Sequence, residues 1–159
     1  MTNNFFTGFA AFFAVVSLVL SGTAIAHSYH VGQIMVDHPW AAASLPGTNT
    51  GAAYMKITNM GSTPVVLTGA TTPAAGHVEI HSMSMDGGVM RMRPVANIPI
   101  PPHGTIVFGP AGLHMMLVGL TKPLEAETMV PMTLGFQGGP TAVVELYIES
   151  SPMGDMHHH

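Results

Sequence analysis

Cysteine is absent from all 159 residues. That absence removes a disulfide scaffold, a thiolate metal centre and a cysteine nucleophile together, and it suits an oxidising compartment. Charge is scarce as well: four Lys and Arg against eight Asp and Glu leave a formal charge of −4, far from the basic surface that nucleic acid requires. No segment keeps a helical 3.6-residue period with caps, and no internal repeat is visible. Ser44, Ser62, Ser82 and Ser84 sit in no nucleophile-elbow context, and the acidic residues show no spacing that pairs them, so hydrolase chemistry has no foothold.

What the chain does have is 14 Met, 10 His, 18 Gly and 13 Pro. Residues 5–20 form an almost unbroken apolar run, followed by small residues ending at Ala24 and Ala26. This reads as a signal peptide over 1–26, cleaved after Ala26. Residues 1–4 carry no Lys or Arg, so an uncleaved anchor is the alternative, although the run is short for a span of about twenty residues. Either way the rest is exported. The exported part divides into one domain over 27–149 and a His- and Met-bearing tail over 150–159. If cleavage exposes His27, its amine and imidazole together could chelate Cu(II), and a copper enzyme would be conceivable; a frayed terminus is the plainer reading.

Short runs with strand-like alternation recur between Gly and Pro punctuation. They fall at residues 34–43 around Pro39 and Trp40, 51–59, 65–70, 105–108, 114–120, 128–136 and 142–148, with a proline-rich piece at 98–102. Many short strands at close spacing predict an all-β antiparallel sandwich.

The chemistry concentrates between His81 and Met116. Asp86 and Gly87 between two alternating runs predict a two-residue hairpin turn, because both turn positions need positive φ. His81 would then face Met92 and Met83 would face Met90, a patch of imidazole and thioether on one side of the hairpin. Moving the turn to Gly87 and Gly88 keeps all of them on one face. His114 and Met116 are likewise two apart, while Met115 must point the other way. Thioether sulfur is soft and neutral and imidazole borderline, a donor set that suits Cu(I) and suits Ca or Mg badly. A lone Met is more often core filler. Two His in register with Met have no use in an apolar core. Glu79 shares a strand face with His81 and could orient it, although a solvated surface carboxylate is the commoner case.

The spacing of His81, ten residues, Met92, twenty-one residues, His114, one residue, Met116 resembles the signature of the PCuAC-type periplasmic copper chaperones. Blocks around Trp40, Ala52 to Met55 with Asn59, Val78 to His81, Met92 to Val95, Gly112 to Leu117 and Pro131 to Phe136 extend the resemblance over most of 34–148. It implies a cupredoxin-like Greek-key sandwich in which His81, Met92, His114 and Met116 bind one Cu(I). One departure lies just after Trp40, where the family usually carries an arginine and this chain has Ala41, Ala42 and Ala43. Any docking role of that arginine is lost here.

The resemblance further implies a monomeric periplasmic carrier, not an enzyme, that passes Cu(I) to the copper centre of a haem-copper oxidase or to its assembly factor. A blue-copper electron carrier would need a cysteine thiolate and is excluded. Copper storage is the alternative from another class, with Met83, Met85 and Met90 adding capacity and no dedicated receiver. The tail supplies His157, His158 and His159. Clustered imidazoles favour Cu(II), at the top of the divalent affinity order, so a second, weaker Cu(II) site is expected there unless the histidines are a tag remnant.

Overall fold

A computed structural model describes residues 27–138 and 141–150. The signal peptide expected over 1–26, the tail histidines His157, His158 and His159, and part of the turn after Phe136 lie outside the described residues. Among the described residues there are eleven strands: β1 (Ser28–Val31), β2 (Ile34–Ala42), β3 (Thr50–Asn59), β4 (Val65–Thr71), β5 (Ala75–Asp86), β6 (Val89–Pro94), β7 (Ile98–Ile100), β8 (Thr105–Phe108), β9 (Leu113–Leu120), β10 (Met129–Phe136) and β11 (Ala142–Glu149).

The strands hydrogen-bond in the order β6-β5-β9-β8-β3-β2-β11-β10-β4-β7, with β1 on β2 and β9 also on β3. Although β4 and β5 lie far apart in that order, they pack against each other, so the continuous sheet folds back on itself as a sandwich around one core. Alternation along each strand sends one set of side chains inward. Ile57, Leu67, Met115, Leu134, Leu146 and Ile148 are fully buried there. Antiparallel pairing dominates, as expected, with two parallel contacts, β11 on β2 and β8 on β9.

Two local expectations are corrected. The segment from His27 to Val31 is not frayed: Ser28 to Val31 pair with Asp37 to Ile34 across a Gly32-Gln33 turn, and His38 N–H donates to the His27 carbonyl. Tyr29 and Val31 alternate with Ser28 and His30, but four residues are too short a run to signal a strand. The β5–β6 turn is centred on Gly87 and Gly88, with φ of 59° and 79°, not on Asp86 and Gly87. Glycine at both central positions avoids the steric cost that Asp would meet at positive φ. His81 therefore opposes Pro94, Met83 opposes Met92 and Met85 opposes Met90.

Pro39 is buried inside β2, where a central strand would normally exclude proline. An irregularity between Asp37 and Trp40 admits it: three steps along β2 match two along β3, and His38 takes positive φ. At the far end of β3, the fully buried Asn59 clamps the turn into β4. Its amide donates to the carbonyls of Thr63 at 2.7 Å and Ile100 at 3.2 Å, and its oxygen accepts from Gly61 N–H at 3.0 Å.

Asn59→Leu keeps the branched shape but strips three backbone groups of their partner; the Ile100 carbonyl is buried and is worth about 1–3 kcal/mol when orphaned, while Thr63 and Gly61 can turn to water. Urea unfolding should show a loss of about 1–3 kcal/mol. A loss under about 1 kcal/mol would mean that the turn re-forms without the clamp.

Candidate metal centre

The antiparallel pairing of β5 with β9 brings the site together. Ile80 opposes Met115 and both are buried; one residue on, His81 opposes His114 on the other face. The imidazole rings stand 5.8 Å apart at a steep angle of 80°. Met116, two residues beyond His114, shares that face, opposite Glu79 on one neighbouring strand and the small Ala52 on the other. Met92 reaches in from β6, with its sulfur 3.1 Å from His81 Nδ1. Of the four residues singled out by spacing, His81 is thus adjacent to both His114 and Met92, and Met116 lies one diagonal position from His81.

Each imidazole has one nitrogen against an oxygen acceptor. His81 Nε2 lies 2.8 Å from Glu79 Oε2, an acceptor-only carboxylate, so Nε2 carries the proton and donates it. The lone pair of His81 is then on Nδ1, facing Met92. In His114 the situation is reversed. Its Nδ1 lies 3.2 Å from the Gly112 carbonyl, which can only accept, so Nδ1–H donates and Nε2 is left as the lone-pair donor.

Glu79 is a surface carboxylate, as expected, but it is also tied to the imidazoles on either side of it. His77, His81 and Glu79 alternate on one face of β5, and His77 Nε2 approaches the second carboxylate oxygen at 3.0 Å. Hydrogen bonds from His77 and then His81 hold the Glu79 carboxyl below the usual carboxylate range. Sequence reasoning passed over His77; the i, i+2, i+4 pattern of His, Glu and His on one strand was the available signal.

Exposure grades across the site. His114 is 5 % exposed, the His81 side chain 13 % and Met92 48 %. The imidazoles are therefore fixed at the base and one thioether forms the open rim. Among the described residues no group of three or more His, Cys, Asp or Glu is placed to hold a metal ion. An ion at this place has to accept thioethers, which hard cations do poorly.

Known proteins give the same outline. The family model described as "Putative lipoprotein LpqE-like" matches residues 34–148. The "Putative lipoprotein Lxx21020" of Leifsonia xyli subsp. xyli is 32% identical over 117 residues, 73% of this chain and 69% of that protein. A lipoprotein carries its lipid on a cysteine, and none of the 159 residues is one. Among solved structures, the copper-bound PCuAC domain from PmoF2 superposes with a TM-score of 0.68 at 26% identity, covering 79% of this chain and 99% of that domain. The Cu(I) form of DR1885 from Deinococcus radiodurans gives 0.55 at 32% identity, covering 80% and 83%. The PCuAC-type fold spans most of the chain.

The hydrogen-bond pattern makes a prediction for the metal-free protein. Long-range 15N NMR should find His81 protonated on Nε2 and His114 on Nδ1, and Glu79→Ala should release the His81 preference while leaving His114 unchanged. A His81 tautomer unaffected by Glu79→Ala would leave the carboxylate without a positioning role.

Proposed function

We propose, since this chain belongs to the LpqE-like family and carries a PCuAC-type domain, that it binds one Cu(I) in the periplasm and hands it on. The ligands in this reading are His81 through Nδ1, Met92, His114 through Nε2 and Met116. The observation that supports it is the grouping on one face of the β5–β9 pair of two imidazole rings 5.8 Å apart, with the Met92 sulfur 3.1 Å from His81 Nδ1. Copper is cargo here, and the protein is a carrier, not an enzyme.

The chemistry favours transfer. All four donors bind while neutral, so the ion keeps its single positive charge, offset by the Glu79 carboxylate beyond His81. Cu(I) has a closed shell and little geometric preference. A receiver's ligand can therefore enter before an old one leaves. Met92, half exposed at the rim, is the ligand to be displaced first, and the buried His114 the last. The receiver that fits is the copper centre of a haem-copper oxidase or a thiol-bearing factor in its assembly. The expected Cu(II) site of His157, His158 and His159 belongs to this proposal as a capture point for the oxidised ion.

Met92→Leu and Met116→Leu test the ligand set. Volume-conserving apolar swaps cost under about 1.5 kcal/mol of stability. Loss of a direct ligand should weaken binding by more than the tenfold or so that losing an outer-shell partner costs. Anaerobic competition against a chromophoric chelator should show that loss in a domain of near-native stability. Variants that unfold, yet keep their affinity in the folded fraction, would make these residues core and not ligands.

A further inference from the structure

Thioethers continue past the four-residue site toward the tip of the β5–β6 hairpin. Met83 opposes Met92, and Met85 opposes Met90, so four sulfurs form two consecutive cross-strand rungs. Alternation puts Ser82, Ser84, Arg91 and Arg93 on the other face, with Ser82 opposite Arg93 and Ser84 opposite Arg91. Beyond the His81–Pro94 pair, one face of the hairpin carries only methionine, while the other carries serine, arginine and the Asp86–Val89 pair.

Packing does not account for the methionine face. Met85 is 72 % exposed and Met90 65 %, so neither contributes to the core. A solvated hairpin tip gains nothing from apolar side chains, and of the apolar residues only methionine offers a soft lone pair. Met83, Met85 and Met90 line, with Ser84, one open cleft of about 300 Å³ whose far side is Pro110 and Ala111. That wall is fixed: Met83 N–H donates to the Gly112 carbonyl at 3.1 Å, and Gly109 N–H to the Leu113 carbonyl at 2.7 Å. Opposed and diagonal side chains on adjacent strands lie within about 4.5–8 Å, inside the reach of three flexible thioethers converging on one ion. The arginines point away from the cleft, so a cation entering it meets only neutral donors.

We propose that Met83, Met85 and Met90 form a second Cu(I) site, built of thioethers alone, which captures the ion at the hairpin tip and feeds it to the His81 site. This rests on the Cu(I)-carrier reading and adds the route by which the carrier is loaded. Met83 stands directly across from Met92, so the Met92 sulfur can join the ion while Met83 still holds it. Met85 and Met90 then leave as the imidazoles enter. The ion stays Cu(I) throughout, and no proton or electron moves. Transfer runs inward because imidazole is a stronger donor than thioether. The capture site is therefore the weaker of the two and empties into the tighter one.

The test is an anaerobic titration of the whole chain, labelled with 13C at the methionine methyls, with Cu(I) supplied as its acetonitrile complex. The first equivalent should move the methyls of Met92 and Met116, and the second those of Met83, Met85 and Met90. A triple variant, Met83→Leu with Met85→Leu and Met90→Leu, alters exposed positions and stays folded. It should keep the first equivalent, lose methyl-detected binding of a second at the hairpin, and load more slowly. Methyls of Met83, Met85 and Met90 that stay unmoved through two equivalents would overturn the proposal and leave this face an apolar docking surface. A triple variant that loads at the wild-type rate would overturn the feeding step. If the first equivalent left Met92 and Met116 unmoved, the four-ligand reading would fail instead, separately from the capture site.

Discussion

Everything at the site depends on the register between β5 and β9. Because side chains alternate with a strict period of two, a slip of one residue would drive His81 and His114 into the core and push Ile80 and Met115 into water. The buried Ile80–Met115 pair makes that slip costly, since two large apolar side chains would each forfeit about 1.5–3 kcal/mol. The core thus holds the two imidazoles in place from behind. Met115 and Met116 show the division: neighbours in sequence, identical in chemistry, one packed at 0 % exposure and the other on the face with the histidines.

Above that base the site is polarised from inside to outside. Carbonyl and carboxylate acceptors, from Gly112 and Glu79, occupy one nitrogen on each ring and aim the other. Fixing ring orientation before the ion arrives reduces the ordering cost of binding it. The rim is left to thioethers on a two-stranded hairpin, whose flexible side chains tolerate the changing coordination of a transfer. A rigid interior pair with an adaptable exterior pair suits an ion that has to be held firmly and then released to a partner. A store would gain nothing from such an asymmetry.

Much of this was legible in the residues themselves. Alternation and Gly-Pro punctuation located seven of the strands closely, because a half-buried strand leaves that pattern whatever its partners are; the strand over Thr105–Phe108 coincides with its expected limits. Donor spacing located the face, because strand periodicity carries His81, Met83, Met90 and Met92 together under either turn. Pairing was less legible. The turn moved by one residue onto Gly87 and Gly88, and β1 alternates over only four residues, too few to stand out without its partner β2. The bridge from His77 through Glu79 to His81 depends on side-chain rotamers, which sequence spacing permits without requiring.

X-ray absorption at the copper K-edge, on protein loaded anaerobically with a single equivalent of Cu(I), tests the central claim most directly. The account predicts a Cu(I) edge with both imidazole nitrogen and thioether sulfur in the first shell, two of each, and loss of one nitrogen in His81→Ala. A first shell of sulfur alone, or one unchanged by His81→Ala, would contradict it, because the ion would then lie away from the face that the β5–β9 register builds.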